Sequence, residues 1–145
     1  MKKTIISLFT IIIIVVTIIS VNYYSYEIKY RNITKENEEF EQYKDKEIYG
    51  IDLATLINKV IDQNEKNKIE KNDKQIYIPN EENSIQIEIY MQDNETTYKM
   101  ETIYNMGTEE FVLYYGNIKF KCSKIEYHKS TGRIKYLLFE QKATS

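Results

Sequence analysis

Residues 4–21, TIISLFTIIIIVVTIISV, form an apolar run, and no charged residue lies between Lys3 and Glu27. The run is apolar on every helical face, which a helix packed on a soluble core is not. About 20 such residues cross the ~30 Å of hydrocarbon in a bilayer, so the pattern predicts a transmembrane helix over residues 4–22. Tyr23, Tyr24 and Tyr26 follow at once, where an amphipathic ring suits the membrane–water boundary. The h-region of a cleaved signal peptide is shorter, roughly 7–15 residues, and ends near small residues. Here the first Ala is Ala54, so the expectation is an uncleaved signal anchor. An N-terminal lipid modification lacks its cysteine, because the only Cys is Cys122.

From residue 27 the pattern changes. EIKYRNITKENEEFEQYKDKE (27–47) is highly charged, with Ile33, Phe40 and Tyr43 on one thin helical stripe. No Pro or Gly interrupts residues 1–49, and the prediction is a helical stalk over residues 23–47. Unbroken from Thr4 to Glu47 it would measure ~66 Å at about 1.5 Å per residue. Gly50 marks a new start. In IDLATLINKVID (51–62), Leu53, Leu56, Ile57, Val60 and Ile61 fall on one face of an amphipathic helix.

Beyond a polar loop the period shifts to two. QIYIP (75–79) ends at the only proline, and SIQIEIYM (84–91) places Ile85, Ile87, Ile89 and Met91 on one side. QDNE (92–95) is a turn signal, from which TTYKMETIY (96–104) is expected to pair back as a strand. Thr108 is the expected N-cap of a short helix through Phe111, Val112, Tyr114 and Tyr115, stopped at Gly116. In IKFKCSKIEYHK (118–129) the inward set changes from even to odd positions, which demands a bulge near Ser123–Lys124. After the turn Ser130–Gly132, RIKYLLFE (133–140) closes the sheet. The fold class is therefore α+β: a transmembrane helix extended into a stalk and an amphipathic helix, packed with an antiparallel sheet of 4–5 strands and one short helix. The domains are a cytoplasmic tail 1–3, the span 4–22, the stalk 23–47 and an extracytoplasmic domain 48–145. Lys2 and Lys3 before the span favour that orientation.

Composition adds restraint. Ile, Lys, Asn and Tyr make up 68 of the 145 residues. They share A/T-rich codons, so the abundant tyrosines do not by themselves argue for an aromatic binding surface. One Cys excludes a disulfide framework or a Cys-based zinc site. His128, the single His, is expected to be solvated near a hairpin turn. Cys122 alternates with Ile118 and Phe120 and is expected to be a buried, inert thiol. No phosphate-binding or nucleophile-elbow motif is present. The expectation is no enzyme, with no catalytic, cofactor-binding or metal-binding residue.

Charge is distributed unevenly. Residues 81–110 hold eight acids and one Lys, whereas 117–142 hold seven Lys/Arg and two acids. Cross-strand pairing is the simplest consequence. The functional alternative is a basic face of Lys119, Lys121, Arg133 and Lys135 that meets an envelope protein or an anionic polymer. Nucleic acid is not an expected partner of an acidic domain outside the membrane.

In architecture the chain resembles pilin-like proteins: residues 4–66 resemble their hydrophobic helix continuing into an amphipathic half, and 75–140 their antiparallel sheet. The resemblance implies a structural subunit of a surface or secretion assembly that self-associates through the N-terminal helix. In composition and in the stretch TLINKVIDQNEKN, the chain is also similar to small membrane-anchored proteins of A/T-rich Gram-positive bacteria, which imply no particular activity. The leading expectation is a single-pass protein at the cell membrane that contacts the lipid bilayer and displays a binding module of the cell envelope. The pilin-like subunit is the alternative.

Overall fold

Lys2–Glu41 forms one helix, α1, in the computed structural model, which describes residues 2–143. Met1 of the expected tail, and Thr144 and Ser145, lie outside the described residues. The chain divides into two units, Met1–Glu36 and Asn37–Ser145. In the first unit the apolar side chains from Ile5 to Val21 are exposed, and none of the most apolar 18-residue window is buried by protein. This one helix is long and apolar enough to cross a membrane. Four of its polar side chains bond back along the helix. Thr10, Thr17, Ser20 and Asn22 each donate to the carbonyl four residues back, at 2.8–3.0 Å, which is how polar groups are tolerated in hydrocarbon.

The second unit is a five-stranded sheet with helices packed on one face. Its elements are β1 (Glu47–Tyr49), α2 (Gly50–Lys66), β2 (Gln86–Met91), β3 (Thr96–Lys99), α3 (Met100–Met106), α4 (Thr108–Tyr115), β4 (Lys119–Tyr127) and β5 (Ile134–Gln141). The strand order is β1-β4-β5-β2-β3. The α+β class holds. The sheet is mixed, because β2 and β5 are parallel while every other pair is antiparallel.

That parallel pair traces to one segment that is helix and not strand. Residues 100–106 are helix, where the alternation predicted strand to residue 104. Tyr98 and Met100 fit a period of two. Met100, Ile103 and Met106 fit a helix turn, and Met100 and Ile103 are buried by it. Helices α3 and α4 then carry the chain across the sheet, so β4 starts on the far side and β5 inserts between β4 and β2. Gly107, at φ 101°, makes the joint between the two helices, and it takes the N-cap position expected of Thr108.

Two other expectations change. The stalk helix ends at Glu41 and not Glu47, because residues 47–49 pair with β4. Its last turn belongs to the second unit: Phe40 is buried, and Asn37 accepts from the Ile134 amide (3.0 Å) and donates to the Gly132 carbonyl (2.8 Å). Residues 75–79 are not a strand but a loop with one isolated bridge, Lys71 to Tyr77. Asn72 and Asn80 fold this loop by accepting several backbone amides each.

Helix α2 supplies the centre of the core. Leu53, Ala54, Leu56, Ile57, Val60 and Ile61 are buried. They join Ile87, Ile89, Met91, Phe120, Cys122, Leu137 and Phe139 from the sheet's inward face in one cluster. Each large side chain of this kind contributes ~1.5–3 kcal/mol on full burial. Asn64 is also fully buried; it donates to the Ile85 carbonyl (2.7 Å) and accepts from the Ile85 amide (2.9 Å). Gly50 is required by packing, since a Cβ there would sit 2.0 Å from the Tyr115 carbonyl oxygen.

Candidate interaction surface

The other face of the sheet carries Gln86, Glu88, Tyr90, Lys121, Ser123, Lys124, Glu126, Tyr136, Leu138 and Glu140, none of them buried. The predicted bulge explains how β4 keeps its polar residues there. The register shifts between Cys122 and Lys124, so Phe120 and Cys122 point inward before it and Ile125 after it. Charges of both signs alternate on this surface. Lys124 pairs with Glu126 at 2.6 Å, Ser123 donates to Glu140 at 2.9 Å, and Tyr136 donates to Glu88 at 2.8 Å. The hydrogen bond from the Lys124 ammonium holds the Glu126 carboxyl below its usual range. Partial burial, and then its bond to Glu88, push the Tyr136 phenol upward.

The four predicted basic residues do not form one patch. Lys119 and Lys121 lie on β4 next to the edge strand, opposite Tyr49 and Glu47. Lys135 adjoins β5 residues that pair with Glu126 and Tyr127, whereas Lys121 pairs with Glu140. Five residues of strand, about 17 Å, separate the two positions. Arg133 lies beside Lys135, just before β5. Lys119 is also compensated, with its ammonium 3.4 Å from Glu47. Lys142 joins the nearer pair: its amide donates to the Lys119 carbonyl at 2.8 Å. Together Glu47, Tyr49, Asn117, Ile118, Lys119, Lys142 and Ala143 line an open groove of about 580 Å³ at the β1 edge. Among the described residues, Lys121 and Lys142 form no ion pair.

At the opposite edge lies a smaller, apolar slot of about 150 Å³, lined by Met91, Tyr98, Ile103, Met106, Glu110, Phe111, Tyr114 and Tyr115. Met106 and Tyr114 are more than half exposed. Sequence reasoning missed this slot because it needed α3 to be a helix.

His128 is buried, contrary to expectation. Its Nε2–H donates to the Ser84 carbonyl at 2.8 Å, and its Nδ1 has no partner among the described residues. The turn that carries it docks on the loop at residues 80–85, with Thr131 donating to the Glu82 carbonyl (2.7 Å) and Ser130 to that of Glu81. No local pattern announces a contact across 44 residues. Cys122 is buried as expected, and burial pushes its thiol up to about 11, which disfavours the nucleophilic thiolate. Among the described residues, no three His, Cys, Asp or Glu side chains gather where they could hold a metal ion. No family model matches the chain, and neither a curated protein nor a solved structure matches it.

Proposed function

We propose that the chain is a single-pass, membrane-anchored binding protein of the cell envelope, without enzymatic activity, that displays residues 37–145 outside the membrane. The observation that carries this reading is the segment 4–21, apolar on every face and exposed along its length among the described residues. Such a surface is stable in hydrocarbon and costly in water. Lys2 and Lys3 ahead of the span support a cytoplasmic N-terminus. The partner is an anionic envelope protein or polymer, and its contact is the β1 edge, where Lys119 and Lys142 line the groove and Lys121 lies opposite Glu47.

The test uses the full chain in phosphatidylcholine vesicles with polyglutamate as an anionic probe. Binding should weaken as salt rises and be lost in Lys119→Glu/Lys121→Glu, while Lys135→Glu keeps most of it. Binding indifferent to the first pair of changes would overturn the assignment. A second reading, a pilin-like structural subunit, draws support from the continuity of α1 from Lys2 to Glu41. It predicts self-association that disappears when residues 4–47 are removed.

A further inference from the structure

The sheet ends in two open edges. Among the described residues strand β1 pairs only with β4, and β3 only with β2. On either side of β1, Gly50 donates to the Ile118 carbonyl and the Lys46 carbonyl accepts from Cys122. Ile48, opposite Phe120, therefore faces β4 with its backbone groups, and the alternation of an antiparallel ladder turns those of Glu47 and Tyr49 outward. An outward row of this kind is a template for another strand.

We propose that the partner of the basic edge is a second copy of this chain, with β1 of one molecule adding to β3 of the next. The proposal rests on the reading of the β1 edge as a binding surface, and three observations carry it. The first is direction. β1 runs antiparallel to β4, β4 to β5, β5 runs parallel to β2, and β2 antiparallel to β3. The two free edges therefore run in opposite directions. A copy that continues the sheet with its helices on the same face meets β3 with an antiparallel β1.

The second observation is charge at the ends that such pairing brings together. The C-terminal end of β1 lies by Lys119 and Lys142. The N-terminal end of β3 lies by the exposed turn that carries Asp93 and Glu95. Antiparallel addition puts these two ends side by side.

The third is apolar. Ile51, two residues past β1, is 54% exposed on the first turn of α2. The slot beside β3 opens on the same helical side of the sheet and includes Met91, the residue opposite Thr96 at that end of the strand. Ile51 of one copy is the knob that fits the slot of the next. The edges are short, three and four residues, so backbone pairing alone would be weak. The charged and apolar contacts give it register. The contact is heterologous, leaves a free edge on each end, and propagates. Anchoring the copies in one membrane raises their effective concentration.

The test places cysteines at both edges of the full chain, as Tyr49→Cys with Thr97→Cys, in phosphatidylcholine vesicles with a short bis-maleimide. Cys122 is buried and remains. The double variant should yield a ladder of dimers, trimers and longer species, and each single variant only background. Adding Asp93→Lys/Glu95→Lys should reduce the ladder to that background, and further Lys119→Glu/Lys142→Glu should restore it. Single variants that dimerise as well as the double one would mean an isologous contact and overturn the proposal, as would the absence of a ladder. The polyglutamate assay separates the two failures. With no ladder but salt-sensitive binding that needs Lys119 and Lys121, the basic edge stands and only its assignment to a second copy falls.

Discussion

Residues 4–21 of α1 and residues 50–66 of α2 are both helical and both rich in isoleucine, yet their apolar groups meet different surroundings. In α2 they occupy one face and are buried by the sheet. In α1 they surround the axis and are exposed among the described residues. The same kinds of apolar side chain therefore have different consequences. The α2 side chains stabilise the fold, and those of α1 contribute to it nothing that can be lost. Under the proposed function a bilayer supplies their burial.

The largest expected effect follows from that difference. Removal of residues 4–21 should transfer the chain from a carbonate-resistant membrane fraction to the soluble fraction. Residues 37–143 should keep their far-UV circular dichroism, since the core has no member before Phe40. Retention on membranes would break the comparison at its root.

Point changes sharpen it. Leu53→Ala in α2 should cost about 2–5 kcal/mol of unfolding free energy, the range for a fully buried leucine. Ile13→Ala in α1 should change denaturation of the second unit, followed in detergent micelles, by less than ~0.5 kcal/mol. Asn64→Ala comes next. It leaves both backbone groups of Ile85 without their partner, at about 1–3 kcal/mol, and the denaturant midpoint would report it.

A pH dependence should be smaller. Burial raises the Cys122 thiol from an ordinary 9.0 to about 11. The folded state therefore holds that proton through a window in which the unfolded chain releases it. Stability from this group is intact below pH 9 and declines as pH rises toward 11. Tyr127, pushed up to about 12 by burial and then by Glu41, and Tyr136, also raised by burial, act in the same direction at higher pH. Denaturant midpoints between pH 7 and 10.5 should fall in the parent, and the part beginning near pH 9 should vanish in Cys122→Ala. The smallest effect belongs to the exposed pair Lys119–Glu47, whose double-mutant cycle should give less than about 1 kcal/mol.

Much of the fold was legible in local pattern. The all-round apolar run, the amphipathic stripe of α2, the alternation of β2 and the phase change in β4 each followed from a single period, and the bulge between Cys122 and Lys124 lies where that phase change required it. What escaped was carried by distant partners. Residues 100–104 satisfied two periods at once, and packing on α2 and α4 decided for helix. The parallel pairing of β2 with β5 then depended on that choice. His128 was misjudged because its partner, Ser84, lies in a loop with no periodicity. The candidate site was legible only in part. The residue types of the basic face were visible, but register splits them into two groups along the sheet and adds Lys142, while the apolar slot exists only because α3 is helical.

The central claim is that residues 4–22 stay on the mature protein as its anchor. The intact mass of the native protein, extracted from membranes after carbonate washing, tests it most directly. The account predicts the full-length mass in the washed membrane fraction. A protein shortened by about the first 22 residues and recovered outside the membrane would contradict it.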